Sequence, residues 1–182
     1  MSEQYNEEDE LPNIWAIIRL LDDKITAVAD IVQRKEPVTV NFTFLDDTKT
    51  CIPPSFGSEY ASGMDIRSVE EHVLRPGETY AYSTNIAVEI PVGYDIKVHS
   101  RSGLAYKNGV FVLNSPGVID CDYRNEIKVI LHNTGKNSFN VCVGDRIAQI
   151  ILYKTEKMRL YQTTVLSETL RNMNGLGSTG VK

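Results

Sequence analysis

The densest chemistry in the chain lies in Gly117-Val118-Ile119-Asp120-Cys121-Asp122-Tyr123-Arg124. In extended backbone, positions i and i+2 project from one face, so Asp120 and Asp122 can share a site. Neighbouring carboxylates can differ in proton affinity enough for one to act as a base toward water. The same Asp-x-Asp-Tyr string also suits an acidic turn. Its weight therefore depends on what accompanies it.

Three further segments set polar residues where packing does not ask for them. Ser100-Arg101-Ser102-Gly103-Leu104-Ala105 combines an arginine, hydroxyls and a glycine that bares backbone N–H groups, a set suited to phosphate. Taken alone, it reads sooner as a polar turn with a surface arginine. Gly144-Asp145-Arg146-Ile147-Ala148-Gln149 is a turn leading into a strand so apolar that Gln149 stands out within it. The tail holds Arg171 and, after Leu176, the donors of Gly177-Ser178-Thr179-Gly180 on a glycine frame. No Gly-Lys-Ser/Thr follows, so it is not a Walker A loop.

The elements that must position these residues are of two kinds. Leu11, Ile14, Ile18, Leu21, Ile25, Val28 and Val32 keep a heptad a/d register, with Ile17 and Ile31 at g and Trp15 at e. This predicts an amphipathic helix from about Pro12 to Glu36-Pro37, preceded by acidic residues that complement its dipole. Such a helix either packs on its own domain or self-associates, the reading favoured here, and the stripe, wider than a two-stranded seam needs, favours three or more strands over two. From Val38 the period becomes two: Val38, Val40, Phe42 and Phe44, then Tyr94, Ile96 and Val98, then Phe139, Val141 and Val143. Turn strings such as Arg75-Pro76-Gly77-Glu78, Pro91-Val92-Gly93 and Val143-Gly144-Asp145 separate them. Short strands at this spacing predict an all-β antiparallel sandwich or barrel. The domain reading is residues 1–36 for the acidic segment and helix, 37–166 for the β domain, and 167–182 for a glycine-rich, flexible arm.

The 182 residues, 42% of them hydrophobic, suffice for one core domain with an appendage. A net charge of −5 with scattered Lys and Arg argues against binding polymeric nucleic acid. No stretch spans a membrane and no signal peptide is legible. Three widely spaced cysteines, Cys51, Cys121 and Cys142, suit a reducing compartment such as the cytoplasm, with nucleus or host cell open. Cys121 lacks a neighbouring base and reads as a small packing residue. His72, His99 and His132 lack ligand spacing.

Taken in order, these segments resemble the trimeric dUTPases. The five motifs of that family correspond to Ala61-Ser62-Gly63-Met64-Asp65-Ile66, Arg101–Ala105, Gly117–Arg124, Gly144–Gln149 and Arg171–Gly180, from about Val38 to the C-terminus. The resemblance implies a jelly-roll-like β domain, a homotrimer with sites at subunit interfaces, and hydrolysis of dUTP to dUMP and pyrophosphate. That reaction keeps dUTP out of DNA and supplies dUMP for dTMP synthesis. It implies Mg²⁺ held through the phosphates, with Asp65 supporting that region through water or Arg101 and no direct protein ligand. It further implies Asp120 as the base for water attack on the α-phosphorus and Tyr123 as the surface that excludes a 2′-hydroxyl. Asn114, with the hairpin to Val118, would read the uracil. Ser102, Gly103 and Gln149 would hold phosphates, and Arg171, Ser178 and Thr179 would close over the γ-phosphate from a neighbouring subunit.

Two departures stand out. Leu176 occupies the place of a base-stacking aromatic, which implies weaker lid closure and a higher KM. Asn125 replaces a common glycine. Two other functions compete: a dCTP deaminase or bifunctional deaminase–hydrolase of the same fold, and a nucleotide-binding regulator. The first lacks an assignable carboxylate for C4 of the pyrimidine, and an intact Asp120 argues against the second.

Overall fold

A computed structural model describes residues 14–33 and 37–169. The chain forms two compact units divided after Asn41. In the first, α1 spans Ile14–Gln33. Its expected start at Pro12 lies outside the described residues. Ile14, Ile17, Ile18, Leu21 and Ile25, all at a, d or g positions, are between 42% and 66% exposed. At these positions the apolar stripe has no cover among the described residues.

The second unit is built from short antiparallel strands, as the period-two pattern requires. In chain order they are β1 (Asn41–Phe44), β2 (Ser55–Phe56), β3 (Met64–Arg67), β4 (His72–Leu74), β5 (Thr79–Ser83), β6 (Ile86–Glu89) and β7 (Tyr94–His99). A short helix α2 (Ser102–Asn108) precedes β8 (Val110–Val112), β9 (Gly117–Ile119), β10 (Lys128–Asn133), β11 (Phe139–Val141) and β12 (Arg146–Lys154). One sheet has the order β2-β3-β12-β7-β9 and a second the order β5-β10-β8, with β11-β4 and β1-β6 as pairs. Ile66, Leu74, Tyr82, Val110, Ile127, Val129, Leu131 and Val141 have no exposed surface and form the centre of the core. Gly77, Gly93 and Gly144 turn the chain with φ of 77°, 90° and 88°, at the turn strings read from the sequence.

Some strand expectations are trimmed. The alternation from Val38 yields only β1, and Phe42 within it is half exposed. Val143 sits exposed in the turn after β11. The Ser100–Ala105 segment, expected as a turn, continues into α2. Ser102 to Asn108 contains no β-branched residue to oppose a helix, and Gly109 closes it in the left-handed region at φ 68°. Cys51, Cys121 and Cys142 are unpaired. No described helix is long and apolar enough to cross a membrane.

One buried polar side chain ties the second sheet to the loops. Asn133 is fully buried. Its Nδ2 donates to the carbonyls of Leu74 and Asn137, each at 2.9 Å, and its Oδ1 accepts from Gly135 N–H at 2.8 Å. Asn133→Ala leaves these groups without partners, and chemical denaturation should show a loss on the order of 3 kcal/mol.

Candidate active site

Asp65 lies in β3, beside buried Ile66, and is 5% exposed. A carboxylate so enclosed needs countercharge. It has two: Arg146 Nη1 lies 3.0 Å from Oδ2, and Arg101 Nε 3.2 Å from Oδ1. The Arg146 contact is an aligned hydrogen bond, while Arg101 Nε and Oδ1 make a charge contact without hydrogen-bond alignment. Arg101 Nη1 instead donates to the carbonyl of Arg146 at 2.9 Å. The two arginines border a cavity of about 230 Å³ whose lining also includes Arg67, Asp145, Leu104 and Phe139.

Gln149 joins this group through register. On β12 it pairs with Asp65 of β3 on one side and His99 of β7 on the other. Ser102 and Gly103 form the first turn of α2, just after Arg101, and both are exposed. A Cβ added to Gly103 would meet nothing within 4 Å, so packing within the chain does not demand a glycine there. Open backbone beside a hydroxyl and an arginine suits close approach by an anion. Ser100 accepts the backbone N–H of Val112 at 2.9 Å and thereby ties this loop to β8.

A second group surrounds the turn after β9. Between β8 and β9 the chain reverses over Asn114–Pro116, with a cis Ser115–Pro116 peptide. Gly117 is buried, and a Cβ on it would lie 3.0 Å from Asn114 Nδ2. The missing side chain thus leaves room for the Asn114 carboxamide. Val118 is half exposed, and Asp120 is exposed at the end of β9. The expected shared strand face for Asp120 and Asp122 does not form. Tyr123 N–H donates to the carbonyl of Asp120 at 3.1 Å and closes a turn, so the strand ends at Ile119. The acidic-turn reading applies: Asp120 opens the turn directly after the strand, and Asp122 lies within it. Tyr123 shows an exposed ring and anchors its hydroxyl on the carbonyl of Glu126 at 2.9 Å.

Within the second group, the Asn114–Gly117 hairpin lies near the Arg101 end of β7, with Gly117 opposite Val98, while Asp120 and the turn after it lie at the other end. Ile119 pairs with Ile96, which puts Asp120 beside the position of Asp95, six residues from Arg101. At the rise of a strand this is on the order of 20 Å. Among the described residues, no side-chain hydrogen bond or ion pair links Asn114, Asp120 or Tyr123 to Arg101, Ser102 or Gln149. Arg171, Leu176, Gly177, Ser178 and Thr179 lie outside the described residues. The motif pattern alone assigns no role to Arg146 or Arg67. A carboxylate in an apolar strand is the signal in the sequence that cationic partners must exist.

A dUTPase family model matches residues 49–180. The deoxyuridine 5′-triphosphate nucleotidohydrolase of Zymomonas mobilis is 48% identical over 128 residues, covering 70% of this chain and 88% of that protein. The enzyme of the same name from Rhizobium johnstonii is 42% identical over 147 residues, covering 79% and 94%. A Staphylococcus bacteriophage 80alpha dUTPase solved with dUpNHpp superposes with a TM-score of 0.72 at 25% identity, covering 79% of this chain and 99% of that one. The dUTPase of phage phi11, in which a structural Mg(II) ion is coordinated, shares the fold with a TM-score of 0.64 at 24% identity over 70% and 97%. With the motifs in order on a matching antiparallel β domain, the chain belongs to the dUTPase family.

Proposed function

We propose that the protein hydrolyses dUTP to dUMP and pyrophosphate at sites completed between the subunits of a homotrimer. The observation that carries this reading is the separation of exposed Asp120 from the Arg101–Gln149 group along β7. A base and its phosphate donors must stand within a few ångströms of one nucleotide. Two ends of one strand cannot do so, but the matching ends of neighbouring copies can.

Asp120 accepts a proton from water as that water attacks the α-phosphorus. Its exposure leaves room for water and nucleotide. The bond from the α-phosphorus to the bridging oxygen breaks, and pyrophosphate leaves. Little covalent work falls to the protein in phosphoryl chemistry, so positioning and charge neutralisation dominate. Arg101, Ser102, Gly103 and Gln149 supply donors to the phosphates, and Asp65 fixes the direction of Arg101. Tyr123 packs on the deoxyribose, and Asn114 with the backbone to Val118 reads the uracil edge. Arg171, Ser178 and Thr179 close over the γ-phosphate, with Leu176 covering the base.

The residues fit a metal carried by the substrate. Both oxygens of Asp65 face arginines, so that carboxylate is engaged by cationic side chains. The remaining donors suit phosphate. Bound to the triphosphate, Mg²⁺ would supply further charge neutralisation beside these donors.

The exposed stripe of α1 supports self-association of the helices of three copies. Isoleucine at Ile18 and Ile25 with leucine at Leu21 gives a mixed a/d core, and Ile17 at g widens it beyond a dimer seam.

These assignments have measurable consequences. Asp120→Asn should lower pyrophosphate release from dUTP with Mg²⁺ about a hundredfold or more, while binding of a non-hydrolysable dUTP analogue persists. Gly117→Ala forces the Asn114 amide aside. Steady-state kinetics should show KM for dUTP rising roughly 5- to 20-fold with kcat little changed, and preference over dCTP and dTTP narrowing. Removal of residues 1–36 should leave a trimer by light scattering but lower its melting temperature. A monomeric product would show that the helix, not the β domain, drives assembly.

A further inference from the structure

Tyr123 can reject a ribose only if its ring does not yield. A 2′-hydroxyl adds one oxygen, and a ring free to shift aside would accommodate it. The ring stands at an exposed turn, where side chains ordinarily move freely. Two contacts restrain it. Arg124 Nη1 donates to the carbonyls of Cys121 at 2.7 Å and Tyr123 at 3.0 Å, which stiffens the turn backbone. At the far end of the ring, the Tyr123 hydroxyl donates to the carbonyl of Glu126.

That second latch is only as firm as residue 126. The Glu126 side chain is 16% exposed, unusual for a carboxylate on a loop. Its Oε1 accepts the backbone N–H of Asn85 at 2.7 Å and its Oε2 accepts Ser83 Oγ at 3.2 Å, both at the turn between β5 and β6. Lys128 Nζ lies 3.8 Å away. Asn85 is itself held in the left-handed region at φ 59°, with Oδ1 accepting Asp46 N–H and Nδ2 donating to the Asp46 carbonyl. The next residue, Ile127, is fully buried and its N–H donates to the carbonyl of Ile86. The carbonyl that receives Tyr123 is thus pinned to the core from two sides.

We propose that Glu126 is a positioning residue for sugar discrimination: its carboxylate fixes the carbonyl that latches the Tyr123 hydroxyl, and so sets how strongly UTP is rejected relative to dUTP. This rests on the reading of Tyr123 as the surface against the deoxyribose. The Glu126 carboxylate is engaged by Asn85 N–H and Ser83 Oγ and acts through Tyr123, so its effect appears in selectivity rather than in the chemical step.

The test compares kcat/KM for dUTP and UTP in the full-length protein. Glu126→Ala should lower the dUTP/UTP ratio roughly three- to tenfold, the span expected for one lost anchoring hydrogen bond. Glu126→Gln keeps an oxygen for Asn85 N–H and should restore most of the ratio. Tyr123→Phe should lower the ratio by a similar factor, and adding Glu126→Ala to it should change the ratio no further. If Glu126→Ala does not fold, Glu126→Asp, which shortens the reach by one methylene, takes its place with the same expectation. A Glu126 variant that depresses both substrates equally, while Tyr123→Phe moves the ratio, would overturn the inference and leave the sugar reading intact. A ratio unmoved even by Tyr123→Ala would remove the sugar reading and the inference together.

Discussion

A single buried carboxylate organises the Arg101–Arg146 group of this protein. Asp65 sits in the five-stranded sheet with 5% of its surface exposed. An unpaired charge there would be driven to neutralise or to disrupt the strand. Its two arginines come from segments far apart in sequence, one just before α2 and one at the head of β12. The pairing therefore ties three motif segments to one point. Arg101 arrives at its position already partnered on one edge, by Asp65 and the Arg146 carbonyl, which limits the directions its remaining N–H groups can take. Breaking such a pair on one side leaves a buried charge, so the arrangement is held more firmly than an exposed ion pair would be.

The register of β12 makes this geometry possible. Gln149, Ala148 and Arg146 pair in turn with Asp65, Ile66 and Arg67, so an extra residue, Ile147, is accommodated between Ala148 and Arg146. A bulge of this kind bends a strand and re-aims its side chains. Here it lets Ile147 and Ala148 both remain buried while Arg146 reaches back to Asp65. Gln149, the lone polar residue in an apolar run, is explained by the same strand: it lies between Asp65 and His99 in the sheet.

β7 decides where chemistry can occur. It pairs with β12 on one side and β9 on the other, and it leads directly into the Arg101 loop. Antiparallel pairing carries β9 away from that end, so Asp120 emerges at the opposite one. The hairpin before β9 stays near the Arg101 end, with Gly117 opposite Val98. On the proposed reading, this separation is what gives assembly a chemical purpose beyond stability.

Much of this is legible in the order of residues alone. Period-two alternation marks β1, β7 and β11, and an apolar run marks β12, because burial imposes that spacing directly. Heptad spacing marks α1 for the same reason. The motif residues are identifiable because hydroxyls, glycines and carboxylates stand where packing has no use for them. Other features are not legible. The Ser102 segment becomes a helix because no β-branched residue in it opposes one and Gly109 can close it, a balance too even for pattern to settle. Asp120 and Asp122 do not share a strand face because β9 ends at Ile119 and a turn closed by Tyr123 N–H on the Asp120 carbonyl contains both. By itself, then, the sequence determined the residue kit and the alternating strands, since both are set by local spacing and side-chain chemistry. Only the tertiary structure decided which kit members meet: the arginines on Asp65, the Glu126 latch on Tyr123, and the distance between Asp120 and Arg101. Those depend on register, bulge and strand order, which arise from packing between segments far apart in the chain.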